Sequence, residues 1–124
     1  MTRGFEAGVI VVVDPRRSDY TSLMVAGEAS GIRFKFLTTV EEVLRFHAPP
    51  RVLAWMINMA LPGVSGLELY ELLRARLADA PVLMVDDQYD AARERSVLTM
   101  GRPHYLCKPL AASWIGQLRR EGGN

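Results

Sequence analysis

The stretch VLAWMINMALPGVSG, Val52 to Gly66, decides how the chain is read. An unbroken apolar run, Val52 to Ile57, stops at the polar Asn58, and a Pro62-Gly63 turn then leads into a helical pattern that starts near Gly66. A short apolar run closed by turn residues is the pattern of a strand buried on both faces. The polar residue at the end of such a strand is a natural place for a working carboxylate. Here it is an amide.

Working outward, the same alternation recurs. GVIVVV (Gly8 to Val13) is a second buried strand, followed by Asp14-Pro15, where Asp can cap and Pro can open a helix running to Gly31, a left-handed stop. IRFKFL (Ile32 to Leu37) alternates apolar and basic residues, as a strand near a sheet edge does. Thr38 with Glu41, or Thr39 with Glu42, can form a capping box for a short helix ending before Pro49-Pro50. GLELYELLRARLADA places Leu69, Leu72, Leu73 and Leu77 on one helical face, with Glu68, Glu71, Arg74 and Arg76 largely outside it. PVLMV (Pro81 to Val85) is the fourth strand and AARERSVLTM the helix that ends at Gly101. HYLC (His104 to Cys107) is the fifth strand, and LAASWIGQLRR (Leu110 to Arg120) the last helix.

Five strand–helix units in 124 residues imply an α/β domain with a parallel sheet covered on both faces. One domain over 1–124 is expected, with its core in about 8–120 and EGGN (121–124) as a tail or linker stub. Hydrophobic residues make up 49%, charged residues 23%, and the formal net charge is +1, as in an ordinary globular chain. Arg and Lys are dispersed, which argues against direct nucleic-acid binding. The lone Cys107 excludes an internal disulfide, no apolar stretch reaches the roughly 20 residues of a membrane span, and a cytoplasmic location is expected. His47 and His104 have no partner at zinc-ligand spacing, so no metal site of that type is expected.

In parallel sheets of this kind, chemistry gathers beyond the carboxyl ends of the strands. Asp14, Asn58, Asp86, Asp87 and Lys108 all fall there. With VVVD after a short N-terminus, ALPGVSGLEL after the third strand and YLCKPL with Lys108-Pro109, the sequence resembles the CheY-like receiver domain of two-component response regulators, from about Val9 to Ile115. The resemblance implies a flavodoxin-like, doubly wound (βα)5 three-layer sandwich with strand order 2-1-3-4-5. It also implies a site with two acids after the first strand that hold Mg²⁺, a phosphoacceptor Asp after the third, a Thr or Ser after the fourth, a switching aromatic in the fifth, and a Lys.

Position by position, the match is incomplete. Asp14 matches the first acid, Pro15 replaces the second, Asn58 takes the phosphoacceptor position, and Asp86 stands in place of the hydroxyl, while Tyr105 and Lys108 are retained. An amide is a far poorer nucleophile toward phosphorus than a carboxylate. With two of three family acids gone, Mg²⁺ binding is expected to be weak or lost, with Asp14 its only remnant, and no other cofactor is expected. A lysine in this crevice needs an anionic partner, expected to be Asp86, Asp14 or both; the alternative is that Asp86 and Asp87 cap the next helix or face solvent. Trp55, Met56 and Met59 read as core packing, Cys107 as a small buried hydrophobe, and RRSDY as a solvated helix face.

The expected function is therefore that of a pseudo-receiver: a non-enzymatic, phosphorylation-independent interaction module. Its partners would be a sensor kinase, an output domain, another regulator or a second copy of itself. The resemblance assigns docking to the face of the fourth helix, fifth strand and fifth helix, here drawing on Arg93, Arg95, Met100, Tyr105, Trp114 and Gln117. Trp114 with Leu110 and Leu118 equally forms a core stripe. Two alternatives stand beside it: a phospho-switch with a relocated acceptor, Asp14 or Asp86, and a small-ligand flavodoxin-like domain. Against the latter, VDPRRSD has no glycine to form a phosphate cradle.

Overall fold

The computed structural model describes residues 8–77, 79–113 and 115. Five parallel strands, β1 (Gly8–Val13), β2 (Ile32–Leu37), β3 (Val52–Asn58), β4 (Val82–Asp86) and β5 (His104–Cys107), form one sheet in the order 2-1-3-4-5. That is the order expected from the sequence. Among the described residues four α-helices connect them: α1 (Thr21–Ala29), α2 (Val40–Arg45), α3 (Gly66–Leu73) and α4 (Ala91–Leu98). The expected last helix, Leu110 to Arg120, falls mostly outside the described residues, as do Trp114, Gln117 and the tail.

Period-two alternation divides the core into two layers. Val9, Val11, Val13, Trp55, Ile57, Val82 and Met84 face one side, packed with Leu69, Leu73 and Val97 from α3 and α4. Ile10, Val12, Met56, Leu83 and Val85 face the other, against Tyr20, Leu23, Leu110 and Ile115. β1, β3 and β4 are buried on both faces, whereas β2 is an edge strand whose Arg33 and Lys35 point to solvent. Basic side chains on an exposed edge discourage pairing with another chain.

Local signals decide where helices start. Of the two capping boxes open to α2, the one formed is Thr39 with Glu42, whose carboxylate also accepts from the Thr38 N–H. Ser65 and Glu68 form a second box at α3, which the sequence reading left unremarked. Two expectations fail. No α-helix starts at Pro15: Arg17–Tyr20 is a 3₁₀ turn, and α1 begins only at Thr21, because the Asp14 carboxylate is drawn into the sheet's end and Tyr20 is pulled fully into the core. Leu72 is 65% exposed, and Tyr70 takes its place on the buried face of α3.

α3 sits directly on the end of β3. Gly66 N–H donates to the Met59 carbonyl at 2.9 Å, and a β-carbon at Gly66 would run into the Asn58 carbonyl oxygen. Gly66→Ala should therefore push α3 off the strand that carries Asn58, lowering stability by about 1–3 kcal/mol as overpacking does, read from the shift of the urea midpoint. An unchanged midpoint would mean that the helix has room to move.

Candidate functional site

Strand parity sorts the polar residues at the carboxyl end of the sheet. Asp14 continues the register of Val12, Asn58 that of Met56, Asp87 that of Val85 and Lys108 that of Leu106, so all four turn toward the layer containing Tyr20. Asp86 follows Met84 and turns to the other layer, where Tyr105 packs. The adjacent acids thus serve two different networks.

The first network is centred on Lys108. Its ammonium lies 2.9 Å from Asp14 Oδ2, 2.7 Å from Asp19 Oδ2 and 2.8 Å from Asp87 Oδ1, which engages all three of its N–H donors. Asp14 is completely buried. Its Oδ2 also accepts from the Tyr20 hydroxyl at 2.7 Å and from the Asn58 amide at 2.9 Å, while its Oδ1 accepts from the Arg16 N–H at 2.9 Å. Asn58 Nδ2 donates to Asp87 Oδ1 as well, at 3.1 Å, and its Oδ1 accepts from the Ala60 N–H at 2.7 Å. Only an amide can fill this position as drawn, because both directions of Nδ2 end on carboxylates and Oδ1 ends on a donor. Among the described residues no buried side-chain nitrogen or oxygen lacks a hydrogen-bond partner.

The electrostatics follow from this packing. Burial alone would lower the Lys108 ammonium, but hydrogen bonds to Asp19, Asp87 and Asp14 outweigh it and raise it above the ordinary lysine range. The Lys108 hydrogen bond holds the Asp87 carboxyl below its usual value, with the Asn58 amide adding to the effect. Burial and then Asp14 push the Tyr20 phenol upward. Three carboxylates face one ammonium, and the open cleft above them is lined by Arg16, Asp19, Asp87, Lys108 and Pro109. The cluster keeps a formal excess of negative charge.

The second network is centred on Asp86, which is 1% exposed. Its Oδ1 accepts from Arg93 Nη1 at 2.8 Å and its Oδ2 from the Tyr105 hydroxyl at 2.6 Å. Asp86 is thus corrected as a partner of Lys108 and as a member of the acidic pocket: its register carries it to α4. Asp14 is a partner, and Asp87 neither caps a helix nor simply faces solvent. Asp90 caps α4 instead. Asp19 was missed, because RRSDY reads as a solvated face, whereas the 3₁₀ turn swings Asp19 over the ammonium. No spacing rule in the sequence gives that contact away.

Other singled-out residues fall as follows. Trp55 is buried edge-on to Phe46, and Met56 and Met59 are core. Cys107 is half-buried rather than buried. Arg95 is exposed, Arg93 is partly exposed and held by Asp86, and Met100 packs partly on the core. His47 and His104 are exposed, and among the described residues no group of three or more His, Cys, Asp or Glu is arranged to hold a metal ion. No helix of the described residues is long and apolar enough to cross a membrane.

No family model and no curated protein sequence matches the chain. Solved structures do. The BeF3-activated receiver domain of DrrB from Thermotoga maritima superimposes with a TM-score of 0.76 at 19% identity, covering 94% of this chain and 98% of that one. A response regulator receiver protein from Pseudomonas putida gives 0.74 at 22% identity over 92% and 96% of the two chains. In the longer DrrB chain, an OmpR/PhoB homolog, the likeness covers 91% of this chain and 51% of that one at a TM-score of 0.72 and 19% identity. With its five-stranded parallel sheet in the order 2-1-3-4-5, the chain has the CheY-like fold of response regulator receiver domains.

Proposed function

We propose that the chain is a receiver-type signalling module that has given up phosphoryl transfer and works by protein–protein contact. The observation that carries this reading is the orientation of Asn58, which occupies the acceptor position and donates its amide to Asp14 and Asp87. Nothing nucleophilic is left there. Asp14 and Asp86, the candidate relocated acceptors, have both oxygens engaged by donors. An incoming phosphodonor is itself an anion and meets a cluster with more carboxylates than cations.

The same geometry argues against Mg²⁺. Asp14 Oδ2 is crowded by Tyr20, Asn58 and Lys108, its Oδ1 accepts from the Arg16 N–H, and Pro15 supplies no ligand. A divalent cation would have to displace the Lys108 ammonium, so the donor set does not fit the metal. The lysine takes the place of the cation, and the amide makes a second carboxylate there unnecessary.

In this reading the module is not an enzyme, and partners dock on the α4–β5 face, where Arg95, Leu98 and Tyr89 are exposed. A sensor kinase, an output domain, another regulator or a second copy would fit such a role. Intact-mass spectrometry after incubation with acetyl phosphate and Mg²⁺ tests it. The protein is expected to gain no phosphoryl mass, and a gain would make it a working switch with a relocated acceptor.

A further inference from the structure

We infer that Asp86 is a built-in clamp that fixes Tyr105 and the first turn of α4 in one arrangement, so that the α4–β5 face is presented ready-made. The geometry is a closed ring. Asp86 Oδ2 accepts from the Tyr105 hydroxyl at 2.6 Å; that hydroxyl accepts from the Asp90 N–H at 3.0 Å; Asp90 Oδ1 accepts from the Arg93 N–H at 3.0 Å; and Arg93 Nη1 returns to Asp86 Oδ1 at 2.8 Å. Four links join the end of β4, the middle of β5 and the N-terminus of α4.

Every link has a reason to hold. Asp86 is buried, so both oxygens need donors, and three of the four hydrogen bonds end on a carboxylate. The Tyr105 hydroxyl uses its donor and acceptor functions at once, which leaves the ring one favourable rotamer. Tyr89 packs edge-on against Tyr105 at 6.1 Å between centroids and donates to Glu94 at 2.6 Å, which ties the same first turn of α4 to the aromatic pair a second time. Desolvation and the bond to Asp86 push the Tyr105 phenol up to about 12, so it keeps its proton, and its donor role, through the neutral range.

The ring is self-contained. None of its four side chains bonds to Lys108, and Asp86 meets the Lys108 network only through its own backbone carbonyl, which accepts the Lys108 N–H at 2.9 Å. The aromatic that the receiver likeness casts as a switch is therefore held by a carboxylate of its own chain. No covalent modification is needed to set it. The biological meaning of the clamp rests on the proposed receiver-type function, whereas its existence does not.

Amide hydrogen exchange over residues 91–98 tests the clamp, with Asp86→Ala, Arg93→Met and Tyr105→Phe set beside the parent chain and far-UV circular dichroism confirming the fold of each. Asp86→Ala should speed exchange in the first turns of α4 by on the order of tenfold, with smaller increases for the other two, since local opening tracks the bonds that resist it. Combining Asp86→Ala with Arg93→Met should add little to Asp86→Ala alone. Exchange that stays at the parental rate in Asp86→Ala would overturn the clamp. If that variant does not fold, unchanged exchange in both Arg93→Met and Tyr105→Phe would overturn it instead. The parent is also incubated with acetyl phosphate and Mg²⁺ and read by mass and by exchange: a phosphoryl mass with unchanged α4 exchange would sink the phosphorylation-independent function while supporting the clamp, and altered exchange would overturn the clamp.

Discussion

Lys108→Met should lose about 3 kcal/mol of stability at pH 7, the lower end of what breaking a buried ion pair costs. The substitution keeps the length and apolar stem of the side chain and removes only the charge. Asp14 is completely buried and cannot turn to water, and it would be left beside Asp87 and Asp19 without their shared cation. Asp19 and Asp87, about one-third exposed, can recruit solvent, which keeps the loss from rising further. With urea slopes of about 1–3 kcal/mol/M the midpoint should fall by on the order of 1–3 M.

The pH dependence gives this prediction a second readout, and its sign differs between parent and variant. In the parent the Asp87 carboxyl is held below its ordinary value, chiefly by Lys108. Its contribution is present above the unfolded carboxylate value of about 4 and is lost as pH falls through the lower folded value. In Lys108→Met the crowded carboxylates repel one another, so the folded state takes up protons more readily than the unfolded chain. The variant should therefore gain stability as pH falls from 7 toward about 5. A variant that weakens on acidification just as the parent does would show that the three acids are solvated independently and that the ammonium cage has no energetic role.

The fold was legible because its determinants are local. Unbroken apolar runs marked β1, β3 and β4, the basic alternation of IRFKFL marked the edge strand, and a capping box marked α2. Glycines at Gly31 and Gly101, with φ of 78° and 86°, stopped elements where only glycine sits comfortably. The residues at the strand ends were also legible, since a parallel sheet brings its carboxyl ends to one edge. Their pairing was less so. Parity separates Asp86 from Asp87, because Met84 and Val85 before them pack into opposite layers, but a reading that treats both as one acidic patch loses that information. Asp19 lay beyond any pattern: its contact with Lys108 spans 89 residues and depends on a 3₁₀ turn in place of an expected α-helix. That turn exists because Asp14 and Tyr20 satisfy each other inside the core, a tertiary demand that overrides the capping role the sequence suggested.

Asn58→Asp should destabilise the chain by about 2–4 kcal/mol at pH 7 without divalent cations. The amide makes two hydrogen bonds to carboxylates, at 2.9 Å to Asp14 and 3.1 Å to Asp87, and bonds to charged groups contribute about 1.5–3 kcal/mol each. An ionised carboxylate can donate neither, and it places a further negative charge against both acids. The bond from the Ala60 N–H to the side-chain oxygen survives, so the strand end keeps its anchor and the loss stays short of unfolding. Like charges at this spacing raise the folded-state value of the new acid above its unfolded one, so the deficit should shrink as pH falls and a protonated Asp regains a donor. Millimolar Mg²⁺ should raise the variant's urea midpoint, because the new acid adds to the cluster a carboxylate oxygen with no donor on it, and should leave the parent's unchanged. A variant as stable as the parent in the absence of metal would mean that Asn58 merely tolerates its neighbours. The predicted loss would mean that the amide's two donor bonds hold the acidic cluster together, and a rescue by Mg²⁺ that an acid at this position needs a divalent cation beside it.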